Sequence, residues 1–462
     1  MTLTFIAFLL LFACIGIGSS KFKKNSTTDY LLAGRGVNPW FIALSALSTS
    51  QSVFLFTGQV GYAYTEGLSS IWLAIGWAIG DYMAWFIAFK RVREVTEQRN
   101  INSISGLLAV YGPYCKVARV SASIIILFLS IYAAAQLLAG GKALHSMFGW
   151  DYSTGIIVGS IMVVCYCFSG GIRASIWTDA VQTLVMVGAL LLILAVSLHH
   201  VGGAGALLPK LSQESPDLVN IMPDSLFFGF AAFFIGWIVA GFGAIGQPHI
   251  LVRAMAIDSA DNIAKARNIR AFCGLITAFS AIAIGLSARI LLPELNDPEL
   301  AMLNLSELYL PEALTGLVMA GLFAAIISTA DSQILSCSAA ITQHVVPHIS
   351  QSLKASKAAT LILSMCICGI ALLNNDSIFS LITFSWSALA SALGVVILLR
   401  LWNKELNALE SLCIMASGLS VACSWRLLGY SASLYELLPG MAAGALMYGV
   451  ILLVRKRHAI AS

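Results

Sequence analysis

Charged side chains are scarce in this sequence of 462 residues, of which only 10% are charged and 59% are hydrophobic. A water-soluble globular domain carries about 25% charged residues, so this chain cannot cover a water-facing surface of ordinary extent. The mean hydropathy of +0.87 indicates that most of its surface faces lipid instead. These values exclude a soluble fold and predict a membrane protein.

The sequence also lacks the patterns of several other protein classes. It has no series of alternating segments about ten residues long, which excludes a membrane β-barrel. No G-x-S-x-G, H-E-x-x-H or Walker A motif is present, so we expect neither an enzyme nor an organic cofactor. The ten cysteines lie within or at the ends of apolar runs, where they indicate packing rather than disulfides or a zinc site. No Lys or Arg precedes residue 21, so residues 2–19 are interpreted as an uncleaved helix rather than a signal peptide.

Thirteen apolar runs approach the roughly 20 residues that a helix needs to cross the hydrocarbon. They lie near residues 2–19, 38–58, 67–89, 118–147, 153–168, 176–199, 226–246, 271–292, 314–341, 357–373, 376–399, 409–428 and 433–454. With the N-terminus outside, every Lys and Arg falls inside except Lys142, Lys210, Arg289 and Arg426. This asymmetry predicts an outer N-terminus and a cytoplasmic C-terminus. Because the basic residues are spread over several short loops, nucleic-acid binding is not expected.

Two of the predicted spans are interrupted. The second contains five consecutive polar residues at 48–52, and the seventh has Gly241, Gly243 and Gly246 ahead of Pro248. Broken helices at corresponding positions of two halves indicate a transporter built from inverted repeats. We therefore expect one transporter domain over residues 1–462, with repeats at 38–199 and 226–399, an additional helix at 2–19, and two further helices at 409–454.

Polar side chains within two of these spans point to a cation site. An unwound segment at 48–52 would free carbonyl oxygens, and irregular backbone at membrane depth survives only beside a cavity or inside protein. In the ninth span, Ser328, Thr329 and Ser332 share one helix face with Ala325. Oxygen ligands of these kinds suit a hard cation. The alternative is that the hydroxyls bond to their own helix or join two helices.

Three carboxylates are predicted to lie within the membrane. An intramembrane acid is costly and is a functional hypothesis by default, which applies to Asp179 and Asp331. For Asp179, the alternative is an interfacial residue bonded to backbone near the cytoplasmic end of its span. Asp81 is assigned no role from the sequence.

Several motifs along nearly the whole chain resemble the solute:sodium symporter family, in particular its bacterial sodium/proline symporter branch. They are "DYLLAGRGVNPWFIALSA", "WLAIGW", "FSGGIRASIWTDAVQ", "GQPHILVRAMA" and "AAIISTADSQIL". The resemblance implies thirteen helices in the inverted-repeat fold of the LeuT-type transporters and Na⁺ as the coupling ion.

The resemblance also implies ligands for sodium. The conserved site would use the backbone carbonyls of Ser48, Gln51 and Ala325 and the hydroxyls of Ser328 and Thr329. A second site, found in some members, would use Asp179, Ser328, Asp331 and Ser332.

The substrate is less well defined, because the chain departs from the proline branch. Proline symporters have an aspartate where this chain has Ser50, and aromatic residues where we align Ala240 and Ala244. The loss of those aromatics would enlarge the pocket. The candidates for the substrate cavity or its gates are Ser52, Gln59, Tyr132, Gln136, Gln247, Phe384 and Trp386. For Phe384 and Trp386, simple packing between helices is an equal alternative.

Together these features predict a sodium-coupled symporter of the bacterial inner membrane that imports a small solute, most simply proline or another small amino acid. The expected partners are the solute, sodium ions and membrane lipid, with no obligate protein partner. A larger zwitterion or an organic acid remains an alternative substrate. A solute-sensing membrane module, a sodium-permeable channel and a proton-coupled carrier remain alternative functions. The short tail after the last span leaves no room for a signalling domain, which disfavours the sensor.

Overall fold

The computed structural model describes residues 1–19, 27–109, 115–167, 171–223, 226–346, 353–373 and 377–461. Nearly all of this described chain is helical, and its β-structure consists of one isolated bridge between Val37 and Ile257. The predicted all-helical membrane architecture is therefore present. The basic cluster at residues 21–24 and the last residue of the fifth predicted span lie outside the described residues.

The principal helices are numbered here in chain order, and shorter connecting helices are left unlabelled. They are α1 (Thr2–Ser19), α2 (Pro39–Val53), α3 (Val60–Glu66), α4 (Ile71–Ala84), α5 (Lys90–Gln98), α6 (Lys116–Phe148), α7 (Tyr152–Cys167), α8 (Gly171–Val201), α9 (Gly229–Phe242), α10 (Pro248–Ala256), α11 (Ile263–Leu291), α12 (Glu312–Ala340), α13 (Leu353–Leu372), α14 (Ile378–Leu401), α15 (Ala408–Leu427) and α16 (Leu437–Ala461). Short π-helical segments join α2 to α3 and α4 to α5, and a 3₁₀ turn joins α9 to α10.

Within the described parts of the chain, nine helical stretches are long and apolar enough to cross a membrane. One of them runs continuously over Pro39–Gln98 and so contains both the second and the third predicted span. The first, fifth and tenth predicted spans correspond to shorter apolar helices at Thr2–Gly18, Tyr152–Val163 and Ala358–Leu372. Each predicted span thus corresponds to a helix over most of its described length, and the number of membrane crossings stays a prediction.

In the sequence, residues 247–270 have the helical pattern of a loop that follows the seventh span, and the structure confirms a helix over residues 248–256. They form α10, in which Ile250, Leu251 and Met255 are completely buried. Pro248 lies in the first turn of α10, where its missing N–H removes no helical hydrogen bond. The seventh span is therefore one broken helix, α9 and α10, that extends further than its apolar run.

The centre of the molecule is formed by α12 and α14, which are buried along most of their length, whereas α16 is largely exposed at the periphery. Glycines permit the closest helix contact, between α4 and α9. A Cβ on Gly80 would collide with the carbonyl of Ile238, and one on Gly241 would collide with the carbonyl of Trp77. The two backbones therefore touch directly, which holds the third span against the first half of the broken seventh.

On the predicted cytoplasmic side, short polar contacts join the ends of the two halves. The Val37 N–H donates to Ala256 O at 3.1 Å, and the Asp258 N–H donates to Val37 O at 3.0 Å. Arg35 donates to the carbonyls of Met255 and Ile101 at 3.2 and 2.8 Å. The chain segment before α2 is thereby fixed to the end of α10.

The contact between α4 and α9 can be tested with a single added methyl group. We expect Gly80→Ala to lower the free energy of unfolding by about 1–3 kcal/mol, because its Cβ would overlap backbone that cannot move independently. Thermal unfolding of the purified protein in detergent measures this.

Gly188→Ala is the matched control, since a Cβ at this exposed position of α8 meets nothing within 4 Å. It should leave stability unchanged or raise it by up to about 1 kcal/mol, the difference in helix propensity. Equal melting temperatures for the two variants would contradict the close contact.

Candidate functional site

The break in the second span lies at Ser52, within the polar segment noted in the sequence. Ser52 has φ +49°, an uncommon value for a residue other than glycine. The backbone N–H of Val53, which the break frees, donates to Gln136 Oε1 at 3.2 Å, and the N–H of Phe54 donates to Ser52 Oγ at 3.1 Å. Side chains thus replace the helical hydrogen bonds, which is the condition for unwinding a helix at membrane depth.

The break in the seventh span lies at Gly243–Gly246, between α9 and α10. It packs against α14 through two hydrogen bonds: Trp386 Nε1 donates to Ala240 O at 2.8 Å, and Gln247 Nε2 donates to Trp386 O at 3.0 Å. A Cβ on Gly246 would collide with Ala390, so glycine is needed for this approach. The indole of Trp386 therefore occupies the space beside Ala240.

Buried polar atoms without hydrogen-bond partners gather around these breaks. Tyr132 contacts both halves, with its hydroxyl 3.4 Å from Ser52 Oγ and its ring edge-to-face with His249 at 5.8 Å. Among the described residues, no hydrogen-bond partner is found for Gln136 Nε2, Gln247 Oε1 or either ring nitrogen of His249. Each buried polar atom that is left without a partner lowers the free energy of unfolding by about 1–3 kcal/mol. This central polar cluster is therefore suited to a small polar ligand.

The α2 segment before the break faces α12. Thr329 Oγ1 lies 3.4 Å from the backbone oxygens of both Ser48 and Thr49. Adjacent ligands of an octahedral cation with bonds of roughly 2.4 Å are separated by roughly 3.4 Å, so these oxygens have suitable spacing for a hard cation. Ser328 Oγ donates to Ala325 O at 3.2 Å within the same turn of α12. All five residues predicted for the conserved sodium site thus lie in α2 and α12, where Ser48 and Thr329 face each other.

Gln51, the fifth of these residues, is oriented differently. Its side chain turns toward α11 and bonds to Thr277 Oγ1 at 2.6 Å, while its backbone oxygen accepts the N–H of Phe54. The side-chain amide of Gln51 therefore lies away from the oxygens between α2 and α12. Only the backbone carbonyl of Gln51 belongs to the same turn of α2 as those oxygens.

The residues predicted for a second sodium site lie close together but are joined by an arginine. A small cavity of about 10 Å³ is lined by Asp179, Ser328 and Asp331, together with the polar side chains of Thr178 and Gln182. Asp179 Oδ2 accepts Ser45 Oγ at 2.6 Å and Arg253 Nη2 at 3.0 Å. Arg253 also donates to Ser332 Oγ. A buried guanidinium therefore already balances Asp179.

Two of the predicted gate residues lie apart from the central cluster. Gln59 Nε2 donates to Ala278 O of α11 at 3.2 Å. Phe384 packs edge-to-face on Phe128 at 5.8 Å and under the guanidinium of Arg426 at 5.0 Å. Of the seven predicted residues, the structure places Ser52, Tyr132, Gln136, Gln247 and Trp386 at the two breaks.

Comparison with known proteins accounts for this arrangement of two broken helices. The model of the sodium:solute symporter family matches residues 30–418. The chain belongs to the sodium:solute symporter family. It is 33% identical over 445 residues to the high-affinity proline transporter PutP of Bacillus subtilis, with 93% of each chain covered. It is 30% identical to the sodium/proline symporter of Escherichia coli K12, which covers 99% of this chain and 93% of that relative.

Solved structures share the fold. A Na⁺-coupled sialic acid symporter in a substrate-bound, outward-open state superposes with a TM-score of 0.80 at 18% identity, covering 97% of both chains. The nucleobase-cation symporter Mhp1 in a closed conformation superposes with a TM-score of 0.62 at 14% identity, covering 93% of this chain and 95% of that one. As a sodium:solute symporter, the chain is a membrane transporter that uses Na⁺ as its coupling ion, rather than an enzyme.

Sequence reasoning missed several buried polar residues that the structure places beside the candidate site. Arg253 and His249 were overlooked because residues 247–270 were interpreted as a loop, although Pro248 after three glycines was a signal for a second half-helix. The partner of Asp81 was also missed: it is Arg270 of α11, with which Asp81 forms a buried ion pair. Nothing in the spacing of Asp81 and Arg270 along the chain indicates that they meet.

The pair of Asp179 and Arg253 should be essential to the fold. We expect Asp179→Asn to lower the free energy of unfolding by about 3–5 kcal/mol, because it leaves the guanidinium buried without its counter-charge. The double variant D179N/R253Q should recover much of this loss. Thermal unfolding in detergent checks both, with D217N in an exposed outer segment as the neutral control. If the effects of the single variants D179N and R253Q add up to that of the double variant, the two side chains are not coupled.

Proposed function

We propose that this sodium:solute symporter imports proline or another small amino acid across the bacterial inner membrane by alternating access. The observation that supports this most directly is the central polar cluster between the two helix breaks, beside a set of oxygens suited to sodium. The named substrates of the bacterial relatives, which include PutP and the osmoregulated proline transporter OpuE of Bacillus subtilis, support proline.

The central cluster has the chemistry to hold an amino acid. The amides of Gln136 and Gln247 and the imidazole of His249 can pair with a carboxylate and an ammonium group. The apolar part of the solute would lie against Tyr132. Because Trp386 occupies the space beside Ala240, we infer that its indole supplies the aromatic wall that the small residues of α9 do not.

The conserved sodium site is proposed at the facing oxygens of α2 and α12. Its ligands would be the carbonyls of Ser48, Gln51 and Ala325 and the hydroxyls of Ser328 and Thr329. A cation there would hold the broken second span against α12 and so shape the solute site. Coupling then requires only that each ligand bind more tightly when the other is present. One ion moved through 100 mV releases about 2.3 kcal/mol, enough for roughly fiftyfold accumulation of solute.

A second sodium ion is proposed only in the small cavity beside Asp179, Ser328 and Asp331. Ser332 would contribute after Arg253 had moved away from it, since Arg253 holds both Asp179 and Ser332. The guanidinium and the ion would therefore compete for the same oxygens.

The proposed topology has thirteen membrane spans with the N-terminus outside and the C-terminus in the cytoplasm. Residues 38–199 and 226–399 would form two inverted repeats of five spans each, flanked by one helix at 2–19 and two at 409–454. The occurrence of a break in the first helix of each half supports this arrangement.

Substrate and coupling ion can be tested together in purified protein. We expect proline, or another small amino acid, to raise the melting temperature more in NaCl than in choline chloride at fixed pH, since sodium and solute stabilise the same state. Uptake into proteoliposomes should depend on the sodium gradient. Binding without accumulation would indicate a sensor, and solute-independent conduction a channel. A response to a pH gradient that does not need sodium would indicate a proton-coupled carrier.

Thr329→Ala tests the sodium site. We expect the half-saturating sodium concentration for uptake to rise about tenfold, because one oxygen ligand of a charged group is lost. Thr315→Ala is the matched control on the same helix, since its buried hydroxyl donates to the carbonyls of Ser306 and Pro311, which precede α12. Equal sodium dependence in the two variants would overturn the assignment.

A further inference from the structure

A second buried ion pair lies on the opposite side of the broken span from α12. Asp81 of α4 and Arg270 of α11 form a salt bridge in which their side chains are only 8% and 6% exposed. Charged groups within the membrane are costly, and a buried pair seldom adds net stability over apolar residues of similar volume. The presence of this pair therefore calls for a role beyond holding two helices together.

The third partner of this pair is Ser50, which lies two residues before the break. Arg270 Nη2 donates to Ser50 Oγ at 2.7 Å, and Ser50 Oγ donates in turn to Leu47 O at 3.1 Å. The guanidinium of Arg270 also lies 5.6 Å from the centre of the Trp85 ring, which adds a cation–π contact to its ion pair with Asp81. Arg270 thus connects an ion pair outside the broken span to the polar segment within it.

Ser50 is the first of three polar contacts that join the broken span to α11. Gln51 Nε2 lies within 3.3 Å of Gly274 O and also bonds Thr277, and Gln59 Nε2 donates to Ala278 O. Residues 270, 274, 277 and 278 follow helical spacing and share one face of α11. Among these contacts, the Ser50–Arg270 hydrogen bond is the one in which the donor carries a charge, so it is expected to be the strongest.

The two faces of this short segment have different partners. The carbonyls of Ser48 and Thr49 face Thr329 on α12, whereas the hydroxyl of Ser50 faces Arg270 on α11. The segment ends at the unusual backbone conformation of Ser52, beyond which the ordinary helical hydrogen bonds are interrupted. Residues 48–51 continue the helix of α2, so the side-chain contacts of this last turn help to set its rotation about the helix axis, and Arg270 makes the charged one.

We propose that Arg270, balanced by Asp81, is a positioning residue for sodium coupling: by holding Ser50 it directs the carbonyls of Ser48 and Thr49 toward Thr329. The proposal rests on the sodium site between α2 and α12 put forward above. In this role Arg270 is a fixed internal cation that orients one side of the segment permanently, and sodium joins the other side reversibly. Asp81 serves the same role indirectly, by keeping the guanidinium charged and oriented within the membrane.

Ser50→Ala is the sharpest test, because it removes the hydroxyl that Arg270 binds and leaves the ion pair of Asp81 and Arg270 intact. We expect the half-saturating sodium concentration for uptake to rise about tenfold, the effect of losing one charge-assisted hydrogen bond. The half-saturating solute concentration at saturating sodium should stay near that of the unmodified protein, whereas the melting temperature without sodium should fall, because Arg270 Nη2 loses its buried acceptor. Ser287→Ala is the control, since this buried hydroxyl of α11 bonds only to Ala283 O of its own helix.

Arg270→Lys and the neutral double variant D81N/R270Q extend the test. Lysine keeps the charge but lacks the planar fork that reaches Asp81 and Ser50 together, so sodium affinity should fall while the protein still folds. The double variant removes both buried charges, so it should be more stable than either single variant, D81N or R270Q, but its sodium affinity should stay as low as theirs. If it recovers both, the pair is only structural and the proposal is overturned.

The failure of this proposal can be distinguished from that of the sodium site. If Thr329→Ala weakens the sodium dependence but Ser50→Ala does not, Arg270 has no positioning role and the site stands. If neither variant changes the sodium dependence, the site between α2 and α12 is wrong and the role of Arg270 is overturned with it.

Discussion

The interior of a bilayer offers no water to a free N–H, a free carbonyl or an unpaired charge, and this constraint organises the whole molecule. Where a helix is unwound at membrane depth, a side chain from another helix must take the place of the missing hydrogen bonds. Gln136 does this for Val53, and Trp386 adds a donor to the carbonyl of Ala240 beside the second break. The two breaks are thus points at which hydrogen bonds join helices that are far apart in the sequence.

The charges follow the same rule and surround the broken second span. On one side, Arg253 of the second half binds Asp179 and Ser45 of the first half. On the other side, Arg270 binds Asp81 and Ser50. Each arginine joins helices from both halves of the chain. When one half moves relative to the other, these contacts must therefore break, or both partners must move together. In a transporter that alternates between two openings, such contacts define which elements move together.

Much of the architecture was predictable from the sequence because lipid imposes a simple requirement on composition. The apolar runs correspond to helices, and the polar residues at 48–52 identified the first break. The family motifs also brought together residues whose proximity the structure reproduces, such as Ser48 and Thr329. The sequence indicated a helical pattern after Pro248 but not its burial, because the polar side chains of Gln247, His249 and Arg253 are typical of a loop exposed to water.

The sequence by itself determined that the chain is a helical membrane protein with two interrupted spans, since composition and local pattern decide which segments can lie in lipid. Only the tertiary structure decided the partners of the polar groups: that Asp81 meets Arg270, that Asp179 is balanced by Arg253, and that Gln51 turns away from Thr329 toward α11. The physical reason is that a buried charge requires a partner, but the charge alone does not determine where in the sequence that partner lies. That position depends on how helices far apart in sequence pack against each other.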